Sequence, residues 1–213
     1  MNPHGWSRKS LPAMALVVAV AWVAAPPAQA AVPDPSQSIV EPLVVASWTA
    51  DPSPACAAPR PGFDVIVRDA AGMPVAGATV ALDFSPTIVR LYLTQNPGTT
   101  VNCAAYTLSR PSDAIGIAHF VPRFGGFENS PAVVVSADGI ILAPPIVARS
   151  PDFDRNGTVA LTDLVYFARS YLSAGYEPET DFDGCPASSL ADLSFFAQEY
   201  LTSTNFPPAV LCP

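Results

Sequence analysis

The strongest constraint on the fold is a tandem repeat near the end of the chain. A shift of 29 residues lays Leu161-Thr-Asp163-Leu164-Val-Tyr-Phe167-Ala168-Arg-Ser-Tyr171-Leu172 on Leu190-Ala-Asp192-Leu193-Ser-Phe-Phe196-Ala197-Gln-Glu-Tyr200-Leu201, with seven of the twelve positions identical. The same shift sets Asp181 on Asp152 and Asp183 on Asp154. Each unit is a polar turn followed by an amphipathic stretch too small to bury its apolar stripe alone. Helical spacing places Leu161, Leu164, Ala168 and Leu172 on one face, and Leu190, Leu193, Ala197 and Leu201 on its counterpart. These two faces are expected to pack antiparallel, with Phe167, Phe196, Tyr171 and Tyr200 filling the flanks of a small core.

The turn of the first unit carries oxygen ligands at a recognisable spacing. In Asp152-Phe-Asp154-Arg-Asn156-Gly157-Thr158-Val159-Ala-Leu161-Thr-Asp163, oxygen-bearing side chains stand at positions 1, 3, 5 and 12, with glycine at 6. That is the pattern of a twelve-residue calcium loop. A hard cation with about six to eight oxygen ligands needs carboxylates gathered by a tight turn. Asp152, Asp154 and Asn156 would supply one oxygen face and the Thr158 carbonyl another. Gly157 permits the bend, and Asp163 closes the sphere from the first turn of a helix. The second turn keeps Asp181, Asp183 and Asp192 at positions 1, 3 and 12 but has Cys185 at 5 and Pro186 at 6. Proline fixes φ near −65° and does not make the turn that Gly157 makes. Gly184 offers a turn shifted by two residues, so these three aspartates form a second, weaker candidate set.

This arrangement resembles the type I dockerin module, a small all-α domain of two EF-hand-type calcium loops, each followed by a helix but lacking the helix that precedes a full EF-hand. The resemblance covers about residues 150–203. It implies that Asp closes the loop, as Asp163 does, and that Asp152, Asp154, Asn156, Thr158 and Asp163 bind Ca2+. It further implies a protein partner of the cohesin type, on a scaffold or cell surface, with companion domains that act on polysaccharides. Many members carry a Ser-Thr pair at loop positions 10 and 11, where this chain has Leu161-Thr162 and Leu190-Ala191.

Upstream, the periodicity changes from helical to period two. Phe63, Val65 and Val67 alternate with Asp64 and Arg68, and Val80, Leu82 and Phe84 form one face of a following run. Such runs joined by Gly/Pro turns are half-buried antiparallel strands. An early strand over 39–48 is interrupted at Pro42, and further strands are expected at 88–93, 105–110, 117–121, 132–137 and 140–147. About seven strands at this spacing suggest a β-sandwich. The segment Val67-Arg-Asp69-Ala-Ala-Gly72-Met-Pro74-Val75-Ala-Gly77-Ala78-Thr-Val80-Ala-Leu82, with Ser112-Asp113-Ala-Ile-Gly116-Ile-Ala118-His-Phe120 downstream, resembles the bacterial immunoglobulin-like modules of surface proteins over about 60–148. The expected fold is therefore mainly β, an immunoglobulin-like sandwich over 31–149, plus the small helical domain over 150–213.

The first thirty residues read as a secretory signal peptide. Arg8 and Lys9 precede an apolar run from Leu11 to about Ala25, and Ala28-Gln29-Ala30 ends it. Cleavage after Ala30 would export the chain to the extracellular space or cell surface, and no later stretch is long and apolar enough to span a bilayer. The remainder would carry eight arginines against eighteen acids, a net charge of −10. That balance argues against nucleic acid and anionic membranes as partners and suits a carrier of cations.

Four cysteines, Cys56, Cys103, Cys185 and Cys212, suggest two disulfides in an exported chain. Three pairings are open. Segregation of two cysteines into each half favours Cys56–Cys103 and Cys185–Cys212. Zinc would need a paired Cys-x-x-Cys spacing that the chain lacks. Beyond the leader there is one histidine, His119, with no Gly-x-Ser-x-Gly elbow beside it, and no phosphate loop or dinucleotide fingerprint. Asp64 and Asp83 could be set on neighbouring strands as a glycosidase pair, although a solvated sheet face is by far the better account of them. No catalytic residue is assigned, and the expectation is a protein that is not an enzyme. A carbohydrate-binding sandwich is the alternative, with Trp48, Tyr92 and Tyr106 as its candidate aromatic platform.

Overall fold

The computed structural model describes residues 31–41, 43–46, 62–173, 178–184, 188–203 and 209–213. The leader, Trp48, Cys56 and Cys185 lie outside these residues. The chain is mainly β with two helices. Strands β1 (Ile39–Val40), β2 (Leu43–Val45), β3 (Phe63–Ile66), β4 (Thr79–Asp83), β5 (Arg90–Leu91) and β6 (Thr100–Asn102) come first. They are followed by β7 (Thr107–Pro111), β8 (Ile117–Phe120), β9 (Phe124–Gly125), β10 (Glu128–Ala137), β11 (Ile140–Ile141) and β12 (Ile146–Arg149). The helices α1 (Leu161–Tyr171) and α2 (Leu190–Ser203) close the chain, separated by a 3₁₀ turn at Pro178–Thr180.

The strands form a seven-stranded sheet in the order β2-β12-β10-β4-β7-β6 with β11 beside β10, a three-stranded sheet β1-β3-β8, and a β5-β9 ribbon. Pairing is antiparallel except between β12 and β2. The period-two pattern sets the register, because one slipped residue would turn every apolar side chain to water. Leu108, Leu82 and Val135 therefore lie in one cross-strand row, and all three are fully buried. In the smaller sheet Phe63 pairs with Phe120 and Val65 with Ala118, again all buried.

Residues 31–213 form one compact unit, and its core runs without a break from these strands into Phe153, Phe167, Phe182, Phe195 and Phe196. The compositional change at Ser150-Pro151 marks a switch from strand to loop and helix, but the packing continues across it. Ser150 is fully buried and donates through Oγ to the Phe124 carbonyl at 2.7 Å.

The helical stripes depart from the expectation at their ends, whereas Leu164 and Leu193 near their centres are half-buried and pack against the core. Leu161, Leu172, Leu190 and Leu201 are 64, 80, 73 and 66 % exposed. Phe167 and Phe196 are the fully buried residues instead, with ring centroids 5.0 Å apart. Phe153 joins them from the first loop, 6.2 Å from Phe196, and Phe182 from the second, 6.1 Å from Phe167. The second residue of each loop is thus a core aromatic, and planar rings bury more apolar area per helix turn than leucines do. Each helix is oriented to bring its phenylalanine inward, which keeps Leu164 and Leu193 half-buried and turns the leucines at the helix ends to solvent.

The expected cysteine pairing is also corrected. Cys103 is bonded to Cys212, 109 residues away, with Cα atoms 5.3 Å apart. This excludes both Cys56–Cys103 and Cys185–Cys212. The reason is the path of the tail. Tyr92 and Leu211 form an antiparallel bridge, the Leu93 N–H donates to Val210 O at 2.8 Å, and the Cys212 N–H donates to Leu91 O at 2.8 Å. The tail returns to the edge of the strands and lies beside Cys103.

Candidate metal centre

Each repeat builds its loop around the aspartate at position 12. Asp163, at the third residue of α1, accepts the N–H groups of Phe153 and Asp154 on Oδ1, at 2.8 and 3.2 Å, and that of Ala160 on Oδ2 at 2.8 Å. Asp192 repeats this 29 residues later. Its Oδ1 accepts Phe182 and Asp183 N–H at 2.6 and 3.1 Å, and its Oδ2 accepts Ser189 N–H at 2.7 Å. One carboxylate thereby ties the start of the loop to the helix N-terminus, where unpaired amides favour negative charge. A longer side chain at this position would push the loop away from the helix, which accounts for Asp in place of the more usual Glu.

At position 1, Asp152 accepts the N–H groups of Asn156 at 3.2 Å and Gly157 at 2.9 Å. Gly157 has φ +92°, and a Cβ there would stand 2.7 Å from the Ala209 carbonyl oxygen, so both the turn and the tail require glycine. Asp154 is exposed and accepts from Asn156 N–H at 3.1 Å, Asn156 Nδ2 at 2.9 Å and Thr162 Oγ1 at 3.0 Å. The Asn156 Oδ1 receives both the N–H and Oγ1 of Thr158, at 2.9 and 2.6 Å.

The fold brings Asp152, Asp154 and Asp163 together, with one carboxylate oxygen of each within 4.8 Å of the others, and does the same for Asp181, Asp183 and Asp192. Asn156 borders the first group through Asp154, and the Thr158 side chain engages Asn156.

The electrostatics of the first group favour a cation. Asp152 and Asp163 are fully buried. Burial pushes the Asp152 carboxyl up to about 7, hydrogen bonds from Tyr92 and the Gly157 N–H oppose the rise, and the neighbouring charge of Asp163 adds to it. Burial likewise raises Asp163 and Asp192, against the amide hydrogen bonds that favour their charged forms. A hard divalent ion matches the all-oxygen donors of the first loop, and exposed Asp154 leaves a route of entry. The second loop fits such an ion poorly. Arg149 Nη1 lies 3.3 Å from Asp181 Oδ2 and also donates to the Asp181 main-chain carbonyl, while Cys185 and Pro186 stand at positions 5 and 6.

Three residues that hold these elements carry no local signal of that role in the sequence. The Tyr92 hydroxyl donates to Asp152 Oδ2, and Tyr92 is fully buried, which removes it from the candidate sugar platform. Burial, then the Asp152 charge, raises its phenol above the ordinary value. Arg149 meets Asp181. Arg123, lowered by burial, is drawn back up by the charge of Glu199 on α2. Of the remaining platform, Tyr106 turns its hydroxyl inward to the Val89 carbonyl at 3.0 Å. His119 Nδ1 is 2.6 Å from Asp64 Oδ1, and both side chains are partly exposed on the smaller sheet. Asp83 lies on β4 in the other sheet, so Asp64 and Asp83 are not placed on neighbouring strands. No helix among the described residues is long and apolar enough to cross a membrane. Comparison with protein-family models, with curated proteins and with solved structures returns no match.

Proposed function

We propose that this is an exported, non-catalytic calcium-binding protein whose repeated loop–helix units, of dockerin type, dock to a cohesin-like protein domain in a polysaccharide-degrading or cell-surface assembly. The observation that carries the reading is the gathering of Asp152, Asp154 and Asp163 by a tight loop onto the first turn of α1. Those three carboxylates, with Asn156 and the Thr158 carbonyl, would hold the calcium ion. Calcium would supply charge neutralisation at two buried carboxylates whose charged forms burial disfavours. The remaining residues position the loop: Gly157 allows the turn, Phe153 fixes the loop in the core, and Tyr92 orients Asp152.

The exposed apolar residues support the docking part. Leu161 and Val165 on α1, Leu172 at its C-terminal cap, and Leu190 and Leu201 on α2 are more than half exposed. Leucines at both ends of both helices, related by the 29-residue shift, are more apolar surface than scattered single residues would leave. The two β-sheets fit the immunoglobulin-like companion module read from the sequence, with a structural role.

Calorimetric titration with calcium tests the first part. One binding event is expected, with a dissociation constant between ~10⁻⁷ and 10⁻³ M, absent from Asp152→Ala. No heat and no calcium-dependent rise in melting temperature would sink it. The docking part predicts calcium-dependent capture of a cohesin-type domain, lost in a Leu161→Arg, Leu190→Arg double variant that still binds calcium.

A further inference from the structure

The two position-1 aspartates, equivalent under the repeat, are met by residues of different charge from the β layer. Asp152 is met by the neutral phenol of Tyr92 and accepts two backbone N–H groups of its own loop. Asp181 is met by the guanidinium of Arg149, the last residue of β12. Arg149 is itself buried, only 8 % exposed, and is held on a rigid support. Its strand pairs with both β10 and β2, and its carbonyl accepts the Ala46 N–H at 2.9 Å.

We propose that Arg149 is a built-in cation that stands in for calcium at the second loop, so that the chain binds one calcium ion and folds its second unit without metal. The inference rests on the calcium reading of the first loop only for the total of one.

A guanidinium costs much to bury unless an opposite charge and good hydrogen-bond geometry offset the loss of water. Asp181 supplies the opposite charge through its carboxylate and an acceptor through its carbonyl. An ion at Asp181, Asp183 and Asp192 would then have as a ligand a carboxylate 3.3 Å from a fixed positive charge, and like charges at such range repel strongly where water is excluded. The departures at Cys185 and Pro186 follow from the same exchange. A loop that no longer wraps an ion has no need of an oxygen at position 5 or a glycine turn at position 6. Among the described residues no cationic side chain pairs with the first-loop carboxylates, and that loop keeps Asn156 and Gly157.

The test is calcium stoichiometry, by calorimetry and equilibrium dialysis, in the full exported chain and in Arg149→Gln and Arg149→Lys. One ion is expected in the unaltered protein and in Arg149→Lys, which keeps the charge. Two are expected in Arg149→Gln, where Asp181 loses its counter-charge and the three gathered carboxylates are left to an added cation. Should Arg149→Gln be unfolded in chelator, saturating calcium is expected to restore its far-ultraviolet spectrum with two ions bound. Two ions in the unaltered chain, one in folded Arg149→Gln, or no rescue of an unfolded one would overturn the proposal and leave the first-loop reading intact. No ion in the unaltered chain but one in Arg149→Gln would support the proposal and sink the first-loop reading. No ion in any of the three sinks both.

Discussion

Tyr92 donates its phenolic hydrogen to Oδ2 of Asp152, joining a fully buried residue of the β layer to the first ligand position of a loop 60 residues further on. Ligand geometry in the loop therefore depends on the strands as well as on the loop. Tyr92→Phe keeps the ring and removes the hydrogen bond. The metal-free protein should lose about 1–3 kcal/mol, the usual cost of a buried acceptor left short of a partner. Calcium should bind about 10–100-fold more weakly, as for other residues that orient a ligand. Urea denaturation in chelator and a calcium titration read the two effects, and an unchanged affinity would refute the positioning role.

Asp152 sets a pH dependence whose direction inverts on calcium binding. Its folded pKa of about 7 lies above the ordinary 3.8, so the fold prefers the neutral acid. In chelator its contribution to stability is fully present below about pH 4 and is lost as pH rises towards 7, on the order of a few kcal/mol in all. Asp163 is raised in the same direction and adds to the loss. Calcium requires the carboxylates ionised, so its affinity should rise across that window and its stabilisation be largest at and above pH 7. Melting temperatures at pH 5 and pH 8, each with calcium and with chelator, check this. An equal calcium-induced shift at both values would contradict it.

Gly157→Ala should damage the loop from two sides. The φ of +92° strains any side chain, and the new Cβ would meet the Ala209 carbonyl at 2.7 Å. A loss of about 1–3 kcal/mol is expected, with weaker calcium binding, measured by thermal unfolding and titration.

Reduction of Cys103–Cys212 should release the tail that covers Gly157. The Ala209 N–H donates to the Gly157 carbonyl at 3.0 Å, so a freed tail leaves the loop without this support. Cys212→Ser is expected to cost about 2–5 kcal/mol and to lower calcium affinity as well as melting temperature. Peptide mapping under non-reducing conditions checks the linkage itself.

Leu172→Ser and Leu201→Ser should change stability by no more than about 0.5 kcal/mol, because both side chains lie in water. Phe167→Ala and Phe196→Ala should cost about 3–5 kcal/mol each. Denaturation curves for the four variants distinguish the aromatic core from the leucine core that helical spacing suggests.

That contrast shows where sequence reasoning stopped. A helical stripe says which residues share a face, but Phe167 stands on one side of the stripe with Leu164 between it and Leu161, and the orientation of α1 decides that Phe167 is buried, Leu164 half-buried and Leu161 exposed. That orientation follows from Phe153 and Phe182, which enter the core from the loops. Strands were legible where apolar alternation was long, as at Phe63–Val67 and Val80–Phe84. Thr100–Asn102 and Phe124–Gly125 were missed because strands of two or three residues carry no period to read.

The sequence by itself determined the repeat, the carboxylate sets Asp152/Asp154/Asp163 and Asp181/Asp183/Asp192, and most of the strands. These depend on spacing along the chain, and ligands for one loop must come from one short segment. Only the tertiary structure decided that Cys103 bonds Cys212, that Tyr92 is buried against Asp152, and that Arg149 is set against Asp181. Each of these joins residues 32 to 109 positions apart, and such partners are chosen by how layers pack and where the tail returns. Local periodicity carries no information about either.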